Sequence, residues 1–430
     1  MRRLLAVATV LAFAAPAALA GTVTVITSFP KELTAAYRAA FEKRNPNIKL
    51  EILNKSTVAS IAFVRETAEG QRPDVFWASA PDAFEVLKRD RLLAKAPDVA
   101  NPKVPAKIGS YPINDPEGFY FGQALAGYGI MYNTRYLKAN KLEAPKEWTD
   151  LLKPQWFGHV AMTAPSRSGT MHLTVETILQ GEGWQKGWAQ LLAITGNCAA
   201  ITERSFGVPD GVANGQYGVG LVIDFFGLAA KNSGMPVEFV YPSVTAIVPA
   251  NIALVAGAKA PEAGKRFIQF ALSDEGQALL LDKQISRLPV LPATYAKAPA
   301  GYPNPFTGKI QAKVNFDSAL SESRYYVVVA LFDQLVTFRH KELAAATKAI
   351  HDAQKRLGGK PSPQLDEARR LVFTPPVDEK QASDKALASA FAADKKDADA
   401  SKRRAQIEDE WTTRAKANYA KAVELANAAR

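Results

Sequence analysis

The sequence predicts an α/β protein of two lobes followed by an all-helical extension. Three observations lead there. β-branched runs alternate with helical patterns through residues 22–90, which implies a parallel sheet covered on both faces. The chain has 430 residues, 47% of them hydrophobic, enough for two lobes with cores of their own plus further material. From about Phe316 the pattern changes to long helices.

The first element is not part of the fold. Met1-Arg2-Arg3 precedes an almost unbroken apolar run from Leu4 to Leu19, and Ala18-Leu19-Ala20 forms an Ala-x-Ala site. Residues 1–20 read as a secretory signal peptide cleaved before Gly21. The run is short for about 30 Å of hydrocarbon. No Cys stands at the cleavage site, so a lipid anchor is not expected and the mature chain reads as exported and soluble.

Thr22–Thr27, Ile48–Leu53 and Asp74–Trp77 read as strands, from their β-branched and apolar content. The helical patterns between and after them carry Leu33, Tyr37 and Phe41, then Ile61, Val64 and Ala68, then Phe84 and Leu87. Ligands on such sheets bind beyond the carboxyl ends of the strands, where Thr27, Ser28 and Ser79 fall. Each of them is also an ordinary turn residue. Tyr128–Asn133 starts a different block, and Val160–Thr163, Gly218–Ile223 and Ile247–Val255 read as further strands.

Thr163–Thr174 reads as a strand end, a hydroxyl-rich turn and a helix start. Ser166, Ser168, Gly169 and Thr170 gather hydroxyls and free backbone N–H groups there, and Arg167 adds a positive charge. The first N–H groups of a helix lack internal partners and sit at its positive end, so an anion is suited to the spot. A Ser N-cap alone would also account for the pattern. Asp224 ends an apolar strand, where a carboxylate is costly unless paired or solvated. It either caps the next turn or accepts hydrogen bonds from a ligand.

In the extension, Leu343, Ile350 and Leu357 recur at heptad-like spacing, and neither Gly nor Pro follows Pro376. Ile407, Trp411, Ala415, Tyr419 and Val423 line one helical face. A helical appendage packed on one lobe is expected, partly mobile between residues 376 and 400.

Composition narrows the function. The net charge of +11 favours anionic ligands in a general way, although solubility explains it equally. Basic stripes interleaved with aromatics are absent, so nucleic acid is a poor partner. Cys198 is the one cysteine, and His159, His172, His340 and His351 lack metal-ligand spacing, so neither a metal nor another cofactor is expected. Gly-x-Ser-x-Gly is absent. His172 lies one helical turn from Ser168, but no orienting carboxylate is evident, so an enzyme is not expected.

Three segments resemble one family. Lys146-Glu-Trp-Thr-Asp-Leu-Leu-Lys-Pro-Gln-Trp-Phe-Gly-His-Val160, Gly127-Tyr-Gly-Ile-Met-Tyr-Asn-Thr-Arg-Tyr-Leu137 and Ala271-Leu-Ser-Asp-Glu-Gly-Gln-Ala278 are similar to signatures of bacterial family 1 extracellular solute-binding proteins, the periplasmic components of ABC importers. Pro165–Thr170 and Val222–Gly227 resemble the phosphoglycerate-regulatory and hexose-phosphate-binding branch, near the ferric-binding proteins. The ferric branch uses adjacent tyrosines near the position of Asp224-Phe225-Phe226. A phenyl ring has no oxygen for a hard cation, so the iron site is broken in this chain.

The resemblance implies the type II periplasmic binding fold, with a hinge and a central cleft. Lobe one would comprise residues 21–126 and 253–310, lobe two 127–252, and the helical extension 311–430. Thr27, Ser28 and Ser79 would face the cleft from lobe one. Ser166 to Thr170, Ser205 and Asp224 would face it from lobe two, with Tyr241 near the hinge. The implied function is capture of a small organophosphate anion in the periplasm by a monomer, delivered to an inner-membrane ABC permease. The alternatives are a ligand-sensing regulatory role toward a membrane sensor kinase, or a ferric-ion-binding transport protein.

Overall fold

The computed structural model describes residues 21–392 and 397–430. The expected signal peptide lies outside these residues.

The sheet order follows from the two kinds of strand. Gly21–Thr27 pairs in parallel with Ile48–Asn54 and with Val75–Ala78, each connected through a helix, Lys31–Arg44 or Thr57–Glu66. A parallel pair needs such a crossover. Ile247–Leu254 then pairs antiparallel with Val75–Ala78 and with Phe121–Asn133. On the other side, Val160–Thr163 lies parallel between Cys198–Thr202 and Val219–Ile223, which adjoins Phe121–Asn133.

Phe121–Asn133 therefore belongs to both halves. Residues 121–127 pair with 247–252, and residues 128–132 pair with 219–223. The change of block read at Tyr128 is a change of partner inside one unbroken strand: every residue from 121 to 131 is buried, and the polar Gln123 among them is hydrogen-bonded to Trp77 and Tyr37. With Ile247–Leu254 it forms the two-stranded connection at the base of the cleft. This is a type II periplasmic binding architecture.

One lobe is packed by edge-to-face aromatics. Phe29 and Tyr37 lie 5.2 and 5.0 Å from Trp77, and Phe41 lies 5.3 Å from Phe267. The other lobe shares its core with the C-terminal helices. Trp184, Trp188 and Leu191 join one cluster with Leu343 and Ile350 of helix His340–Arg356, with Leu365 and Val372 of Pro363–Phe373, and with Trp411, Ala415 and Tyr419 of Ala398–Ala428. The predicted stripe faces inward, with Ile407 and Val423 partly buried beside it. The extension thus completes a core rather than resting on a finished one. Within the stretch expected to be mobile, Glu379–Ala382 and Lys385–Ala392 are helical, Phe391 stacks on Trp411, and 393–396 lie outside the described residues.

Residues 317–332 touch both lobes. Arg324 makes a buried two-nitrogen ion pair with Glu176 of helix Gly169–Glu182 and a second pair with Glu379. On the other lobe, Ser321 donates to Asp82 at 2.7 Å, Glu322 pairs with Arg89, and Arg65 donates to the Tyr326 hydroxyl at 3.0 Å.

Candidate functional site: an interlobe anion pocket

Five helices begin at one place between the lobes: Lys31–Arg44, Thr57–Glu66 and Pro81–Arg89 from one side, Gly169–Glu182 and Asp224–Asn232 from the other. The sequence enforces these starts. Ser56 and Ser168 are N-caps whose hydroxyls accept from the N–H groups of Ala59 and Met171, and Pro30 and Pro81 have the fixed φ of helix entry. Each start presents unpaired N–H groups at the positive end of a dipole.

The pocket at this convergence is lined by Ser28, Phe29, Pro30, Ser56 and Ser79 from one lobe. From the other come Arg167, Ser168, Gly169, Thr170, Arg204, Ser205, Phe225 and Phe226. Seven of the predicted residues meet here: Ser28, Ser79, Arg167, Ser168, Gly169, Thr170 and Ser205. The lobes are in contact across it. The Ser79 and Thr170 hydroxyls are 2.9 Å apart, and Arg204 donates to Asn54 at 3.0 Å. A Cβ on Gly169 would stand 2.5 Å from the Thr57 hydroxyl, so only glycine permits this approach. The cavity is about 10 Å³, room for one water-sized sphere. It adjoins an outer cleft of about 850 Å³, with which it shares Phe29, Pro30, Phe225 and Phe226.

Four predicted residues lie elsewhere. The Thr27 hydroxyl is buried and accepts from the Phe29 N–H at 3.1 Å. Ser166 turns to the extension and donates to Asp333 at 2.9 Å. Asp224 is buried at the hinge, where its oxygens accept from Gly127 N–H, Phe225 N–H and the Tyr241 hydroxyl at 2.8–2.9 Å. Burial pushes this carboxyl up to about 7, even though those three donors favour the anion. Asp224 thus bonds to the first turn of its own helix and ties Tyr241 to the hinge strand, and neither side chain lines the pocket. Arg167 lines it but spends donors on the carbonyls of Ile201 and Thr202 and on Glu203.

A carboxylate does orient His172: Asp82, 2.7 Å from Nδ1. It comes from helix Pro81–Arg89, ninety residues away in the chain, so nothing local announces it. Ser168 is engaged as a cap and His172 stacks on Tyr325 at 4.0 Å. The pair therefore braces two helix starts.

Sequence reasoning also missed Arg287, on the floor of the outer cleft. Its guanidinium carbon lies 3.9 Å from the Phe29 ring centroid and 3.7 Å from that of Phe225, one ring from each lobe. It is 2% exposed. The only local signal is a single charge beside the apolar run Leu288–Leu291.

A family model described as bacterial extracellular solute-binding protein matches residues 70–309. The chain belongs to that family. This solute-binding protein is 30% identical over 368 residues to the phosphoglycerate transport regulatory protein PgtC of Salmonella typhimurium, across 85% of this chain and 88% of that one. Among solved structures it is similar to the periplasmic binding protein AfuA from Actinobacillus pleuropneumoniae with exogenous fructose-6-phosphate bound. The TM-score is 0.66 at 19% identity, over 74% of this chain and 99% of the other. Iron-bound HitA from Pseudomonas aeruginosa follows at TM-score 0.57 and 18% identity, over 69% and 94%. No helix among the described residues is long and apolar enough to cross a membrane.

Proposed function

We propose that this solute-binding protein captures a small organophosphate anion between its lobes in the periplasm and hands it to an ABC permease. The observation that carries the reading is the pocket where five helix starts converge. Hydroxyls and N–H groups donate from several directions and suit a tetrahedral, multiply charged oxyanion. The PgtC and AfuA relatives, one named for phosphoglycerate and one bound to a sugar phosphate, support the same class. The rings of Phe225 and Phe226 at the pocket offer no oxygen ligand to ferric ion, which supports an organic anion over iron.

Calorimetric titration with phosphoglycerates, hexose phosphates, aminoethylphosphonate and ferric ion tests the reading. Binding of at least one phosphorus compound is expected, and Ser168→Ala should weaken it. Silence from every phosphorus compound, with tight binding of iron, overturns it.

A regulatory role toward a membrane sensor kinase is the second reading. It is favoured by the hydrogen bond from Ser166, in the serine-rich turn, to Asp333 of the extension. Deleting the extension cannot test it, because those helices complete a lobe core. Asp333→Ala is the milder probe. Lost signalling with unchanged ligand affinity is the expected result, and intact signalling would exclude this route.

A further inference from the structure

We infer that Arg287 is a second anion subsite, and that the ligand carries a carboxylate in addition to its phosphate. The inference rests on the organophosphate reading and narrows it.

All three guanidinium nitrogens of Arg287 are buried without a hydrogen-bond partner among the described residues. Its neighbours explain its position without satisfying it. Phe29 and Phe225 cover the guanidinium as cation–π partners, and rings accept no conventional hydrogen bonds from its edge. Asp224 acts on it electrostatically, but that carboxylate is already bonded to Gly127, Phe225 and Tyr241 and makes no ion pair with it. A buried charge left in this way is strongly unfavourable unless a partner arrives. The side chain lines the outer cleft, and the two rings that hold it also line the serine pocket. A molecule that reaches from that pocket past the shared rings into the outer cleft would meet Arg287.

The two subsites differ in shape. The serine pocket offers donors from many directions, which fits a tetrahedral phosphate. With its faces taken by rings, Arg287 offers a planar fork, which matches the two coplanar oxygens of a carboxylate. Since Phe29 and Phe225 come from opposite lobes, a ligand bridging the subsites would join the lobes by both ends. A sugar phosphate has no second anion and would leave the guanidinium unpaired.

The test compares 3-phosphoglycerate with glycerol 3-phosphate, which lacks the carboxylate. In calorimetry on the wild-type protein, the phosphoglycerate should bind at least about 30-fold more tightly, the scale for removing one partner of a buried charge pair. In Arg287→Met the two affinities should converge to within about threefold. Equal affinities in the wild type, or a preference that survives the substitution, overturns the carboxylate subsite. The organophosphate reading survives in both cases. Should Arg287→Met fail to fold, the wild-type comparison decides alone. If no phosphorus compound binds, both readings fall together.

Discussion

The two lobes solve the same packing problem differently. The lobe around Trp77 closes its core with its own aromatics, Phe29, Tyr37, Phe41, Phe267 and Phe270. The lobe around Trp188 is completed by helices that follow it in the chain by some 150 residues or more, bearing Leu343, Leu365 and Trp411. A sheet covered on both faces needs a layer on each, and here the second lobe takes part of its layer from the extension. Stability of that lobe and placement of the extension are therefore one property. The serine-rich turn at its edge inherits the coupling through Ser166 and Asp333.

The largest effect should come from Arg324→Met. It leaves Glu176 buried with its two-nitrogen partner gone, a loss of about 3–5 kcal/mol. Urea unfolding followed by tryptophan fluorescence reads it, because five of the six tryptophans (all but Trp77) belong to the coupled cluster. A loss under about 1 kcal/mol would mean the extension is not fastened there.

Trp411→Ala sharpens the contrast. It removes a stacked, buried side chain from the last helix and should cost about 3 kcal/mol. The fluorescence change of the extended lobe should move with it. If that transition stays in place while only the last helix melts, the shared core is wrong and the extension is an appendage.

Gly169→Ala acts at the contact between the lobes. The added Cβ meets the Thr57 hydroxyl, so the lobes should stand farther apart and ligand affinity should drop about tenfold, near 1.4 kcal/mol. X-ray scattering should show a larger radius of gyration. An unchanged radius and affinity would show that this approach is not needed for binding.

The last test is a pH slope at the hinge. The folded Asp224 carboxyl sits near 7, above its ordinary 3.8. Between these values the folded state holds a proton that the unfolded chain has released, so this group makes stability fall as pH rises from about 4 to 7. Asp224→Asn should flatten that part of the stability profile. A slope identical to wild type would assign the titration to another group.

Much of the fold was legible because periodicity is local. A β-branched run marked Gly21–Thr27, a short apolar run marked Val75–Ala78, and four-residue steps marked the face of Ala398–Ala428. The serine turn was legible for the same reason: a cap, a glycine and a helix start adjoin in sequence. What the chain order concealed was partnership. Asp82 meets His172, Arg324 meets Glu176, and Arg287 reaches Phe29 and Phe225 only when distant segments are brought together. Asp224 shows the limit most clearly. Its residue type and its place at a strand end are written in the sequence. Whether it faces a ligand or the hinge depended on where Gly127 and Tyr241 lie in space, and only the tertiary structure decides that. Local sequence determines which donors and charges exist, and long-range packing determines which of them remain unpaired.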